Sequence, residues 1–235
     1  MSDPVRLEIT DSAAIVTLDA PPLNIFNLEM RDGLIEAFSA VHQLDGIGAM
    51  ILRADGAHFS AGADLSEFGT AESIFEGRRI RWDRDPWGLL WDMPIPTIAS
   101  LHGVAVGSGL EMAMLCDIRL AGPTTKTGLP ETKLGMLPAA GGTQSLTKTI
   151  GPHGAVPIVA LAETLSDRQA YDLGLITELA DDPDSRALEL AERLASFEPS
   201  VVKAIRRAVK SAGDHPLSAG LALEHRLARS VHGAG

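Results

Sequence analysis

The chain has 235 residues, 45% of them hydrophobic and 22% charged, enough for one large domain, or for a domain carrying a helical appendage. A formal net charge of −11 excludes general nucleic-acid binding, which needs a basic footprint, but not a small anionic ligand held by local charge. The single cysteine, Cys116, excludes an internal disulfide and no apolar run reaches the roughly 20 residues of a membrane span, so a cytoplasmic protein is expected.

The first segments read as strands. Residues 5–10 alternate, Asp11-Ser12 turns the chain, and residues 14–18 resume, a hairpin ended by Pro21-Pro22. Residues 1–10 lack the apolar middle of a secretory signal. Across residues 29–42 the apolar side chains Met30, Leu34, Ala37, Phe38 and Val41 have helical spacing. Residues 48–52 form a short apolar strand, followed by a glycine-bearing loop over 55–64. Residues 70–91 hold Arg78, Arg79, Arg81 and Arg84 with Trp82, Trp87 and Trp91 among them. They read as a partly exposed helix, its arginines a solvated face rather than a phosphate clamp. Residues 94–101 are a strand, His102-Gly103 a turn, 109–116 a buried helix and 118–121 another short strand. Helices dominate from there. Ser166-Asp167 can cap one at Arg168, residues 184–197 carry Leu188, Ala191, Leu194 and Ala195 on one face, Pro199 opens one over 200–211, and 217–231 is the last. Strands joined by helices, then helices alone, predict an α/β core over residues 1–160 with a helical region over 161–235.

Three places could carry chemistry. The strand ending at Leu101 runs into glycines at 103, 107 and 109 and then into a helix. The first N–H groups of a helix have no internal partners, and the helix dipole favours negative charge there. Small residues let a ligand atom approach the backbone. The turn can therefore hold a phosphate, or an oxyanion formed during reaction; it can equally be a tight strand-to-helix connection. No Gly-Lys-Ser/Thr follows, which excludes a P-loop. Val106 occupies the place of the first glycine in a Gly-x-Ser-x-Gly elbow, so Ser108 does not read as a hydrolase nucleophile. Glu111 lies in the first turn of this helix among Leu110, Met112, Ala113 and Met114, where a carboxylate costs free energy unless paired or protonated. Glu131 follows a proline in a glycine-rich stretch. Two carboxylates can divide acid and base duties, though their separation in sequence does not show that they meet. The loop over 59–64 either frees backbone N–H groups or is a plain turn with Asp64 capping the next helix.

Several stretches, in order and in register, resemble the enoyl-CoA hydratase/isomerase (crotonase) family. They are FSAGADL at 59–65, HGVAVGSGLE at 102–111, CDIRLA at 116–121 and LPETKLGMLPAAGGT at 129–143, supported by PLNIFN at 22–27 and LSDRQAYDLGL at 165–175. The resemblance runs from about residue 5 to about 230. It implies a ββα spiral core with a C-terminal helical trimerisation region, and hence a homotrimer or a dimer of trimers. Ala63 and Ser108 match the two backbone N–H donors of the family's oxyanion hole. Glu111 matches the glutamate that activates or positions the attacking water, and Glu131 the one that exchanges a proton with the α-carbon. Contacts to substrate and coenzyme A are expected at Asn24, Ala61, Asp64, Leu65, Gly107 and Trp87.

Retention of both glutamates favours an enoyl-CoA hydratase, a lyase adding water across the 2,3 double bond of an acyl-CoA thioester, or the reverse dehydration. The alternatives are isomerisation, a specialised dehydratase acting on a CoA or acyl-carrier-protein thioester, and a catalytically idle scaffold. No metal or separate cofactor is expected, coenzyme A being part of the substrate. The histidines lack ligand spacing, and His102 reads as a turn residue. Two departures from the family pattern stand out. Ser108 replaces the glycine usual at the second donor position, and the chain stops at Gly235, where longer relatives continue into a Phe- and Lys/Arg-bearing tail over coenzyme A. The second departure leaves room for a carrier-protein thioester.

Overall fold

A computed structural model describes residues 3–69 and 82–232. Most of the arginine- and tryptophan-bearing stretch expected to be helical lies outside the described residues; its end, Pro86–Trp91, is helix (α3).

The hairpin forms as expected, with β1 (Val5–Ile9) antiparallel to β2 (Ala13–Leu18). From β2 onward the large sheet is parallel: β3 (Ala49–Ala54), β4 (Thr97–Leu101), β6 (Ile118–Ala121) and β9 (Glu178–Leu179) join it in the order β1-β2-β3-β4-β6-β9. Alternate strands leave for a second sheet of β5 (Val104–Val106), β7 (Lys126–Gly128) and β8 (Thr164–Ser166). The chain thus steps from large sheet to small sheet and back, which is the ββα spiral expected.

The large sheet is buried on both faces, so its strands read as continuous apolar runs. Side chains still alternate across it. Ala14, Val16, Leu18, Met50 and Leu52 pack with Met30, Leu34 and Phe38 of α1 (Leu28–His42). Ala13, Ile15, Ile51, Ile98 and Leu120 face the other way, onto Ala187 and Ala191 of α7 (Pro183–Ala195). Asn27 starts α1 by accepting from Met30 N–H at 2.8 Å.

The remaining described helices are α2 (Ser66–Gly69), α4 (Ser108–Met114), α5 (Gly142–Ala160), α6 (Asp167–Asp172), α8 (Pro199–Ala212) and α9 (Leu217–His232), with a 3₁₀ turn at Pro130–Leu134. The core packing continues past residue 160. β8 pairs with β7, β9 with β6, and α7 covers a whole sheet face. Among the described helices after residue 160, only α8 and α9 lie beyond that packing. Neither buries a residue, and Ile205, Val209 and Leu217 are 58%, 70% and 78% exposed. No helix among the described residues is long and apolar enough to cross a membrane.

Candidate active site

Two glycine-bearing segments meet where the sheets adjoin. Residues 59–63 run beside β5: Ser60 N–H donates to Val104 O at 2.9 Å and Val106 N–H to Ser60 O at 3.1 Å. The Ser60 hydroxyl ties the loop to Asn24 O at 2.7 Å. This pairing brings Gly62 against the start of α4, where a Cβ on Gly62 would stand 3.6 Å from Ser108 N. Ala63 and Ser108 therefore come close together in the lining of one cavity of about 370 Å³. Ser108 is the first residue of α4, so its N–H has no intrahelical acceptor.

Glu111, one turn along α4, is 2% exposed. Its Oε1 accepts from Ala140 N–H and Gly142 N–H, both at 2.9 Å. Gly142 begins α5, so the carboxylate is seated on a second helix N-terminus. Burial pushes the Glu111 pKa up. The two backbone donors, the Ser108 hydroxyl and the charge of Arg31 pull against that shift. The site thus holds a strongly desolvated carboxylate with fixed donors to its charged form.

Glu131 arrives from the 3₁₀ turn, with Pro130 ahead of it and Gly135, at φ 67°, closing it. A Cβ on Gly107 would come within 3.1 Å of Glu131 Oε1, and Gly107 itself has φ 53°. Glycine suits that backbone conformation, and its lack of a side chain leaves room for the Glu131 carboxyl. Glu111 and Glu131 line the same cavity.

Ala61, Leu65, Gly107 and Trp87 line it too. Two expected contacts lie elsewhere. Asn24 is fully buried, and its side chain accepts from Ala20 N–H and donates to Asp55 O and His58 O. It braces the loops from behind, at φ 47°. Asp64 is not on the cavity wall; it accepts from Ser66 N–H at 2.8 Å and caps α2. His102 Nε2 meets Gly56 O at 3.1 Å, a turn residue as read. No cluster among the described residues could hold a metal ion. The sequence reading missed the partners of Glu111 at Ala140 and Gly142, since backbone donors carry no side-chain signature. It also missed Arg31, which lines the cavity from α1.

The sequence pattern of the enoyl-CoA hydratase/isomerase family matches residues 8–233. A probable enoyl-CoA hydratase, echA8, of Mycobacterium bovis is 34% identical over 97% of this chain and 89% of its own. A probable enoyl-CoA hydratase of Bacillus subtilis is 33% identical over 82% of this chain and 74% of its own. Among solved structures, the enoyl-CoA hydratase from Bacillus anthracis is similar with a TM-score of 0.93 at 26% identity, covering 98% of this chain and 92% of that one. Spiral, glycine-lined cavity and sequence agree, and the chain belongs to the enoyl-CoA hydratase/isomerase (crotonase) family.

Proposed function

We propose that the protein hydrates 2-enoyl thioesters, with coenzyme A carrying the acyl group. The observation that supports this most is the convergence of Ala63, Ser108, Glu111 and Glu131, from separate segments, on one cavity. The thioester oxygen would accept from Ala63 N–H and Ser108 N–H. Drawing electron density onto that oxygen makes the β-carbon electrophilic, and the two donors stabilise the enolate-like oxygen as it forms. Glu111 takes a proton from water as the hydroxyl bonds to the β-carbon. Glu131 delivers a proton to the α-carbon, the enolate collapses to the thioester, and the product is a 3-hydroxyacyl thioester. Run backwards, the same steps are a dehydration. The chemistry uses no resident cofactor.

The test adds crotonyl-CoA and follows the enoyl-thioester absorbance. Loss of the band with formation of 3-hydroxybutyryl-CoA supports hydration. A protein that instead converts a 3-enoyl thioester to its 2-enoyl isomer, and leaves crotonyl-CoA untouched, is an isomerase.

For the assembly we propose a homotrimer or a dimer of trimers built through α8 and α9. Val201, Val202, Ile205 and Val209 of α8 line one side of a hollow of about 690 Å³ against Met114, Leu115 and Phe197. Apolar surface left open on this scale marks a protein–protein contact.

A further inference from the structure

In a chain with a formal net charge of −11, α8 is an exception: PSVVKAIRRAVKSA holds four cations and no acidic residue. Lys203, Arg207 and Lys210 follow one another at helical spacing and so share a face. With Arg206 they line a groove of about 470 Å³ against Trp91, Asp92, Met93 and Pro94. The groove shares no lining residue with the cavity that holds Glu111 and Glu131. Val201, Val202, Ile205 and Val209 line the neighbouring apolar hollow instead, and Arg206 and Lys210 border both.

Arg206 is the buried member of this set, its side chain 10% exposed. Its Nε donates to Asp117 at 2.6 Å and its Nη1 to the Met93 carbonyl, whereas its Nη2 is buried with no hydrogen-bond partner. A buried charged donor is ordinarily paired, so this one marks a missing acceptor. The cations around it are poorly neutralised. Lys203 has fully exposed Asp45 at 3.8 Å, a loose surface pair. Arg207 is exposed and makes no ion pair among the described residues. Lys210 Nζ lies 3.7 Å from the centre of the Trp91 ring and donates to the Trp91 carbonyl. Burial, and after it the charge of Arg206, push the Lys210 pKa down to about 8. Of the two carboxylates on the groove, Asp214 is bound by Lys148, which leaves the exposed Asp92.

We propose that Arg206, Arg207, Lys203 and Lys210 form a binding site for the phosphate group of a small free phosphate compound, separate from the thioester substrate. A phosphate carries up to two negative charges and offers acceptor oxygens in several directions. That suits a buried Nη2 flanked by a second guanidinium and two ammonium groups better than the single charge of a carboxylate does. The groove has the size of a small-ligand site, and the net charge of −11 excludes an extended polyanion such as nucleic acid. Because the site lies apart from the two glutamates, it stands whether or not the protein is a hydratase.

The test titrates sodium pyrophosphate into the whole protein by calorimetry, with ionic strength held constant by sodium chloride. Pyrophosphate should bind saturably. Arg207→Gln and Lys210→Gln should each weaken it by about 10-fold, the usual effect of one charged hydrogen bond. Arg206→Lys keeps a cation for Asp117 but loses Nη2, and should weaken binding at least as much. If that variant does not fold, the other two decide. An anion beside Lys210 raises its pKa from about 8 towards the ordinary 10.5. Binding at about pH 9 should therefore take up protons, read from the heats in buffers of different ionisation enthalpy, and should weaken as pH rises further. The charged or titratable groups facing Lys210 are Arg206 on α8, Asp92 after α3, Cys116 and Asp117 ahead of β6, and Lys148 of α5 near the Trp91 ring. Loss of the uptake in Lys210→Gln assigns it to the lysine. Excess coenzyme A should leave the pyrophosphate affinity unchanged. No saturable binding by the parent, equal binding by the variants, or binding without proton uptake overturns the site. Competition by coenzyme A overturns the separate ligand, because the anion would then be the substrate's own phosphate.

Discussion

Ser108 shows how much one residue's two ends can differ. Its N–H is fixed by its place at the start of α4, whereas its hydroxyl bears on Glu111 and holds that carboxylate's pKa down against burial. Ser108→Gly keeps the N–H and should keep most activity. Because Glu111 must be ionised to act as a base, losing the hydroxyl should move the acid limb of the kcat/KM profile to higher pH. Ser108→Pro removes the N–H itself and should cost roughly 10²–10³-fold in kcat. Steady-state rates across pH on folded samples distinguish the two roles. A dead glycine variant, or an acyl-enzyme on Ser108, would contradict them. Glu111 makes a second prediction, about stability. Burial lets the folded chain hold the Glu111 proton more tightly than the unfolded chain does. Ionisation as pH rises from the ordinary value of 4.5 through the raised folded value therefore costs the native state. Glu111→Gln escapes that cost while its side-chain oxygen can accept the same two N–H bonds. It should melt with the parent below about pH 4.5 and above it at about pH 8, as calorimetry at the two pH values would show. A glutamine variant less stable at high pH would mean that the donors outweigh desolvation.

The elements divide sharply by how far the sequence reveals them. The hairpin, α1, β4, α4 and α7 announce themselves through apolar period and through capping or proline signals, and each appears within a few residues of its expected place. The small sheet and β9 of the large one do not, because β5, β7 and β8 have three residues each and β9 has two, too short to show a period. α5 was hidden by its own punctuation. Gly141-Gly142, Gly151-Pro152 and Pro157 read as breaks, and the helix absorbs them with a kink at Gly151, φ 78° and ψ 161°. That omission removed half of the Glu111 seat from view. Glu111, Glu131, Ala63 and Ser108 were legible through family motifs, but Arg31 was not. Helical periodicity counts apolar positions, and an arginine beside Met30 reads as solvent-facing. The α5 N-terminus is testable at Gly142, where a Cβ would stand 2.8 Å from Glu111 Oε1 and 2.9 Å from Pro138 Cβ. Gly142→Ala should fold, displace the carboxylate, and lower kcat by about 10²-fold, as misplacement of a catalytic group does. An unchanged rate in a folded protein would show that the seat does not position the base.

At the scale of the whole molecule, the core is closed and the C-terminal helices are not. α7 is bound to the sheet by Ala187 and Ala191, and the Ser100 hydroxyl is hydrogen-bonded to Asp184. α8 is held by polar ties: Arg206 to Asp117 at 2.6 Å, and Lys210 to the Trp91 carbonyl. Its apolar residues Ile205 and Val209 stay largely exposed. A closed symmetric oligomer covers such faces, and light scattering at micromolar concentration should give a trimer or a multiple of it. A monomer there would contradict the assembly proposed.

The account rests on a division of labour between the two carboxylates, and hydration of crotonyl-CoA by the parent, Glu111→Gln and Glu131→Gln proteins tests it most directly. Glutamine keeps the shape of each side chain and removes its proton-transfer capacity. The account predicts rapid hydration by the parent and folded variants slowed, each by roughly 10²–10⁴-fold. Full activity in either variant, or no hydration by the parent, would contradict it.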